Sequence, residues 1–147
     1  MIKKNRIIAF AGRKRSGKSM LAKGIREYSS NIVIVTIADN LKFLCCKLLN
    51  RTYDELNQMK DDGTIFEAKV DDYWVSTIKR ELNISDDIIR KEIGEHIFTN
   101  VREVLQIIGT DLIRKYSPDW HIDKTIERIN SYGDDKIIVV DDVRFPN

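Results

Sequence analysis

The sequence predicts an α/β fold built on a mostly parallel sheet. Three observations lead there. Residues 6–11 are a short, mainly apolar run that enters the glycine-bounded stretch Gly12-Arg13-Lys14-Arg15-Ser16-Gly17-Lys18-Ser19, and residues 19–28 after it read as a helix. Residues 32–37 and 136–140 are near-continuously apolar and β-branched, as in strands covered on both faces. Between those two runs the apolar residues mostly recur at helical spacing.

The glycine-bounded stretch matches G-x-x-x-x-G-K-[ST], the phosphate-binding P-loop. Its two glycines let the backbone curl and bring successive N–H groups onto one phosphate. Lys18 can then reach the β- and γ-phosphates, and the Ser19 hydroxyl can join Mg²⁺. The helix that follows adds its partial positive end. Strand, glycine loop and helix are the setting this chemistry requires, which favours it over a plain basic βα turn. The expectation is a P-loop NTPase, three layers α/β/α, that binds ATP and Mg²⁺ through residues 12–19.

At 147 residues the chain is read as one domain with enough length to bury a core. It carries 25 lysines and arginines against 23 acids, a net charge of +2. That balance, with no helix-turn-helix or zinc spacing, argues against a nucleic-acid binder. A bound polyphosphate explains the local cluster Arg13, Lys14, Arg15 and Lys18 better. No apolar run approaches the ~20 residues of a membrane span, so no membrane partner is expected. The only cysteines, Cys45 and Cys46, are adjacent and cannot staple distant segments. They read as helix residues in a reducing cytoplasm.

Along the chain, Asp39 falls just past the second strand, at the sheet edge where open α/β folds bind ligands. Asp39-Asn40 also reads as a cap for a helix over residues 41–49. Thr52-x-x-Glu55 is a capping box, and Asp61-Asp62-Gly63 ends the helix it opens. Residues 64–98 carry no chemical motif; residues 70–82 and 85–93 are each compatible with a short helix. His96 and His121 have no evident partner in sequence. Val101, Val104, Leu105, Ile108 and Leu112 form a core-facing stripe. Beside it Arg102, Gln106, Thr110 and Arg114 recur every fourth residue, a polar ridge of about 18 Å at roughly 1.5 Å per residue. Such a ridge could grip a phosphate and read a base, although a solvated face is the plainer reading of the pattern alone. Gly109 either relaxes this helix or leaves room for a close approach. Ser117 and Pro118 read as the cap and first turn of the next helix, with Trp120 either core or stacked on a base. The last strand ends in Asp141-Asp142, and an acid there commonly supports Mg²⁺ in P-loop proteins.

Taken together, several stretches resemble the deoxynucleoside monophosphate kinases of tailed bacteriophages. They are residues 10–19, Ala38-Asp39-Asn40-Leu41-Lys42, residues 102–111, Pro118-Asp119-Trp120 and Asp142-Val143-Arg144-Phe145-Pro146-Asn147. The Arg-x-x-Leu-Gln-x-x-Gly-Thr helix combined with Asp-Val-Arg-Phe is more specific than the P-loop. The resemblance implies transfer of the ATP γ-phosphoryl group to a deoxynucleoside 5′-monophosphate. It implies Arg102 and Arg114 as phosphate ligands, Gln106 as a base or sugar contact, and Trp120 as a base neighbour. It places Asp39 and Lys42 at the acceptor site. Lys18, Asp142 and Arg144 become the catalytic set, with Ser19 and Asp142 on Mg²⁺. A homodimer is the implied assembly, in the host cytoplasm if the chain is phage-encoded.

The sequence departs from the family twice. Asn40 stands where the more familiar form has proline. Kinases of this kind also continue past Asp-Val-Arg-Phe into further strands and an arginine-bearing lid. Residues 1–147 are thus expected to be a C-terminally incomplete kinase domain, either a truncated product or a shortened protein, with a helical insertion at about residues 51–98 on the acceptor side. Two other readings stay open: a P-loop kinase for another small acceptor such as dephospho-coenzyme A, and a nucleotide-binding protein with impaired catalysis.

Overall fold

A computed structural model of the chain describes residues 7–11, 32–133 and 136–143, with backbone alone at 7–11 and 141–143. It is mixed α/β with a small parallel sheet, and divides into two compact units. One comprises Met1–Asn40 and His121–Asn147, the other Leu41–Trp120.

The first unit holds three strands: β1 (Ile7–Ala11), β2 (Ile32–Thr36) and β5 (Ile137–Val143). The sheet order is β1-β5-β2, and β5 is parallel to both neighbours. Strands β1 and β2, adjacent in sequence, are therefore separated by the last strand. Alternation along β5 sends Ile138 and Val140 to one face, where they meet Val35 and Ile129. Val139 packs on the other face with Ile32. Apolar clusters on both faces explain why β2 and β5 read as continuous apolar runs. One irregularity interrupts the register. Ala9 faces Val140 and Ala11 faces Val143, so β5 carries one extra residue across Asp141-Asp142.

The turn after β2 is tied to helix α6 (Trp120–Asn130) through Asn40. This side chain is only 4 % exposed. Its Nδ2 donates to Thr125 Oγ1 at 2.9 Å and to the His121 carbonyl at 3.2 Å. Its Oδ1 accepts from Arg128 at 2.9 Å, and the same Arg128 nitrogen donates to the Thr36 carbonyl at 2.9 Å. The Asn40 backbone N–H donates to Ile37 O, a bond that proline cannot make. The unfamiliar residue at position 40 thus fills a fully bonded buried site. Asn40→Ala should cost about 2–3 kcal/mol, because it strands partners inside the fold. A urea midpoint unchanged from the parent protein would contradict this.

In the second unit, α1 (Asp39–Leu49) leads to α2 (Tyr53–Asp62), α3 (Asp72–Leu82), α4 (Asp86–Ile93) and α5 (Val101–Ile107). The capping box is present: Thr52 Oγ1 accepts from Glu55 N–H and Glu55 accepts from Thr52 N–H. Gly63 ends α2 in the left-handed region at φ 67°. Asp71, Ser85 and Asn100 cap α3, α4 and α5. Two short strands that the sequence did not suggest, β3 (Ala68–Lys69) and β4 (Ile97–Phe98), pair antiparallel.

Past Ile107 the long helix continues as a π-helical segment, Ile108–Arg114. Bonding from i to i+5 adds about one residue to each turn. Ile108, Leu112 and Ile113 are all buried there, whereas the expected α-helical stripe had only the first two. Gly109 lies in this segment. A Cβ on it would meet Leu41 Cδ2 at 3.1 Å, so the close approach it permits is that of α1.

The expected cap at Ser117 is not formed. Its hydroxyl donates to Leu82 O at 2.8 Å, satisfying a carbonyl at the end of α3. Pro118 and Asp119 form a turn, and α6 begins at Trp120.

Candidate functional site

Parallel register places the end of β1, which runs into the Gly12–Ser19 motif, beside the Asp141-Asp142 bulge of β5. An extra residue in a strand re-aims the side chains around it, and such bulges are common beside active sites. Asp142 therefore lies at the C-terminal end of the sheet, where open α/β folds take ligands. Gly12, Arg13, Lys14, Arg15, Ser16, Gly17, Lys18 and Ser19 lie outside the described residues, as does Arg144. Asp39 is half-buried in the first turn of α1, where a carboxylate meets the helix's partial positive charge. It stands inside the helix, one step past the capping position expected for it.

The second unit gathers three cations from three helices. Lys42 comes from α1, Lys60 from the last turn of α2 and Arg102 from the first turn of α5. The Lys42 ammonium lies near enough to act on Lys60, and its Nζ is 5.5 Å from the centroid of the Tyr53 ring. Burial, the Lys42 ammonium and the Arg102 guanidinium hold Lys60 below the ordinary lysine range, and the adjacent Asp61 offsets part of this. Among the described residues, no carboxylate pairs with any of the three in a salt bridge. Lys60 and Arg102 line a cavity of about 230 Å³, with Gly63 and Asn100 on its wall. Its inner surface is mainly apolar, through Met59, Ile65 and Val101, with the two cationic side chains set into it.

Lys42 and Arg102, sixty residues apart in sequence, were expected at the acceptor site, and the fold brings both to Lys60. Lys60 itself escaped the sequence reading. Its signal was weak: one lysine before Asp61-Asp62, indistinguishable from any basic residue near a helix C-terminus.

The polar ridge is exposed along its whole length, at Arg102, Gln106, Thr110 and Arg114. Arg114 sits on the order of three turns beyond Arg102 and is not among the charges acting on Lys60. Trp120 is 6 % exposed and packs in the core of the second unit, so of its two roles burial supports packing.

His96 has a partner the sequence hid. Its Nε2 is 3.1 Å from Glu103 Oε1, and that oxygen also accepts from Thr99 N–H at 3.0 Å. Burial pulls the His121 imidazole below its ordinary value. Cys45 is fully buried, and burial pushes its thiol far up; Cys46 is half-buried. Among the described residues, no group of three or more His, Cys, Asp or Glu is gathered as for a metal ion, and no helix is long and apolar enough to cross a membrane. No protein-family model, curated protein or solved structure matches the chain.

Proposed function

We propose that the protein is a P-loop phosphotransferase that moves the γ-phosphoryl group of ATP to a deoxynucleoside 5′-monophosphate. The observation that carries this reading is the register of β1 against β5. The strand that enters the Gly12–Ser19 motif runs parallel to, and directly beside, the strand that carries Asp142 near its C-terminal end. The convergence of Lys42 and Arg102 on Lys60 supports the acceptor half of the reading.

In this reaction an oxygen of the acceptor phosphate attacks the γ-phosphorus as the bond to the β-phosphate oxygen breaks. ADP leaves and the acceptor becomes a diphosphate; total charge is conserved. Such a transfer needs placement and charge neutralisation more than covalent help. The P-loop amides and Lys18 would hold the ATP phosphates. Ser19 and Asp142 would hold Mg²⁺, which spreads the charge on the β- and γ-oxygens. Lys42 and Arg102 would fix the acceptor phosphate. Gln106, one turn along the same exposed row, would meet the nucleoside, with Arg114 further on.

ADP release, measured with each of the four deoxynucleoside monophosphates and with dephospho-coenzyme A, tests the reading. It predicts turnover with at least one deoxynucleotide and none with dephospho-coenzyme A. Turnover with dephospho-coenzyme A alone would replace the acceptor, and release equal to the acceptor-free background throughout would remove the activity.

A further inference from the structure

The cationic cavity of the second unit has a property that its assignment to an acceptor phosphate does not by itself supply. Lys60 and Arg102 line one cavity and the Lys42 ammonium acts on Lys60, so the three repel; Asp61 offsets only part of this, and among the described residues no carboxylate forms a salt bridge with any of them. Folding maintains the arrangement against that repulsion. A dianion bound among them would reverse the sign of the interaction.

We propose that Lys60 is the third phosphate ligand of this site, and that its protonation state sets how tightly the site holds a phosphate monoester dianion. The geometry is that of a cup. Lys60 and Arg102 face the cavity, Lys42 stands at Lys60, and Gly63 leaves the wall bare of side chain. The charged groups acting on Lys60 are Lys42 from α1, Asp61 from its own helix and Arg102 from α5. Three cations exceed what one fully ionised phosphate monoester needs, so the loss of one proton tunes the site and does not abolish it.

Lys60 is held below its unfolded value, so the unfolded chain binds more protons between the two values. Stability of the empty protein therefore rises with pH across that alkaline window, and at neutral pH the repulsion is present in full. Phosphate binding opposes this: it favours charged Lys60, takes up a proton in the same window, and weakens as pH rises through it.

This inference rests on the kinase reading for the identity of the acceptor, but not for the chemistry of the cup. The test uses the full chain, its Lys60→Met and Lys60→Arg variants, and two probes: a deoxynucleoside monophosphate and ribose 5-phosphate. Calorimetric affinity is measured from neutral to alkaline pH, and melting without ligand. Lys60→Met should lose about tenfold or more in affinity for both probes, yet melt above the parent protein when empty. Lys60→Arg should bind at neutral pH like the parent and lose less affinity on the alkaline side, because arginine keeps its proton. Lys42, Asp61 and Arg102 are common to both proteins, so the difference between the two profiles belongs to residue 60. Parent-like affinity in Lys60→Met, or parallel profiles for the parent and Lys60→Arg, would overturn the proposal. Binding that depends on Lys60 without phosphoryl transfer would keep this site and reject the kinase. Phosphoryl transfer with binding indifferent to Lys60 would do the reverse.

Discussion

Lys18→Ala is expected to lower phosphoryl transfer by about 10²–10³-fold or more while leaving the urea midpoint unchanged. Removing a single preorganised charge from a transition state that spreads negative charge over phosphate oxygens has effects of this size. The lysine of the motif is a point charge on the β- and γ-phosphates, and its place directly after the second glycine distinguishes it from Arg13, Lys14 and Arg15. The substitution removes a charge from a basic stretch of the sequence, and a charged side chain is rarely part of a core, so folding should persist. The measurement is steady-state ADP release at saturating ATP, with the unfolding curve as control. A folded Lys18→Ala protein with parent-like turnover would remove the P-loop from the mechanism.

Arg102→Ala is expected to act on the other substrate. Its guanidinium belongs to the cationic cup, so its loss should raise the acceptor KM or lower kcat by about ten- to a hundredfold, the worth of one or two charge-assisted hydrogen bonds. The KM for ATP should stay within about twofold, since the ATP contacts assigned here belong to residues 12–19. A change confined to ATP affinity would show that Arg102 has been given to the wrong ligand. Removing Arg102 and Lys60 together should cost less than the sum of the single effects, because the two side chains share one cavity. Strict additivity would separate them.

Much of the architecture was written in local patterns. The three apolar runs became β1, β2 and β5, and for β2 and β5 apolar packing on both faces removes the need for polar alternation. The capping box at Thr52 and the left-handed stop at Gly63 follow from side-chain and backbone chemistry within four residues. Strands β3 and β4 were invisible for the opposite reason. Two residues have no period, and what pairs them is a partner thirty residues away. The π-helical segment was also hidden: Leu112-Ile113 reads as a stripe residue with an apolar neighbour, and nothing in that pattern marks a wider turn. Ser117 had the composition of a cap, and a carbonyl from another helix took its hydroxyl first.

The candidate site divides along the same line. Arg102 and Lys42 could be named because each lies in a stretch with a recognisable pattern. Lys60 could not, since its meaning comes from two charges on other helices. Asn40 looked like a departure from pattern until the fold surrounded it with Thr125, His121 and Arg128. His96 acquired Glu103 in a similar way.

Phosphorus NMR on one mixture of protein, ATP, Mg²⁺ and deoxynucleoside monophosphate tests the central claim most directly, because it shows where the γ-phosphorus goes. The account predicts that the monophosphate resonance declines as the paired resonances of a deoxynucleoside diphosphate and ADP grow together. A spectrum in which ATP yields only inorganic phosphate, or in which nothing changes while the protein remains folded, would contradict it.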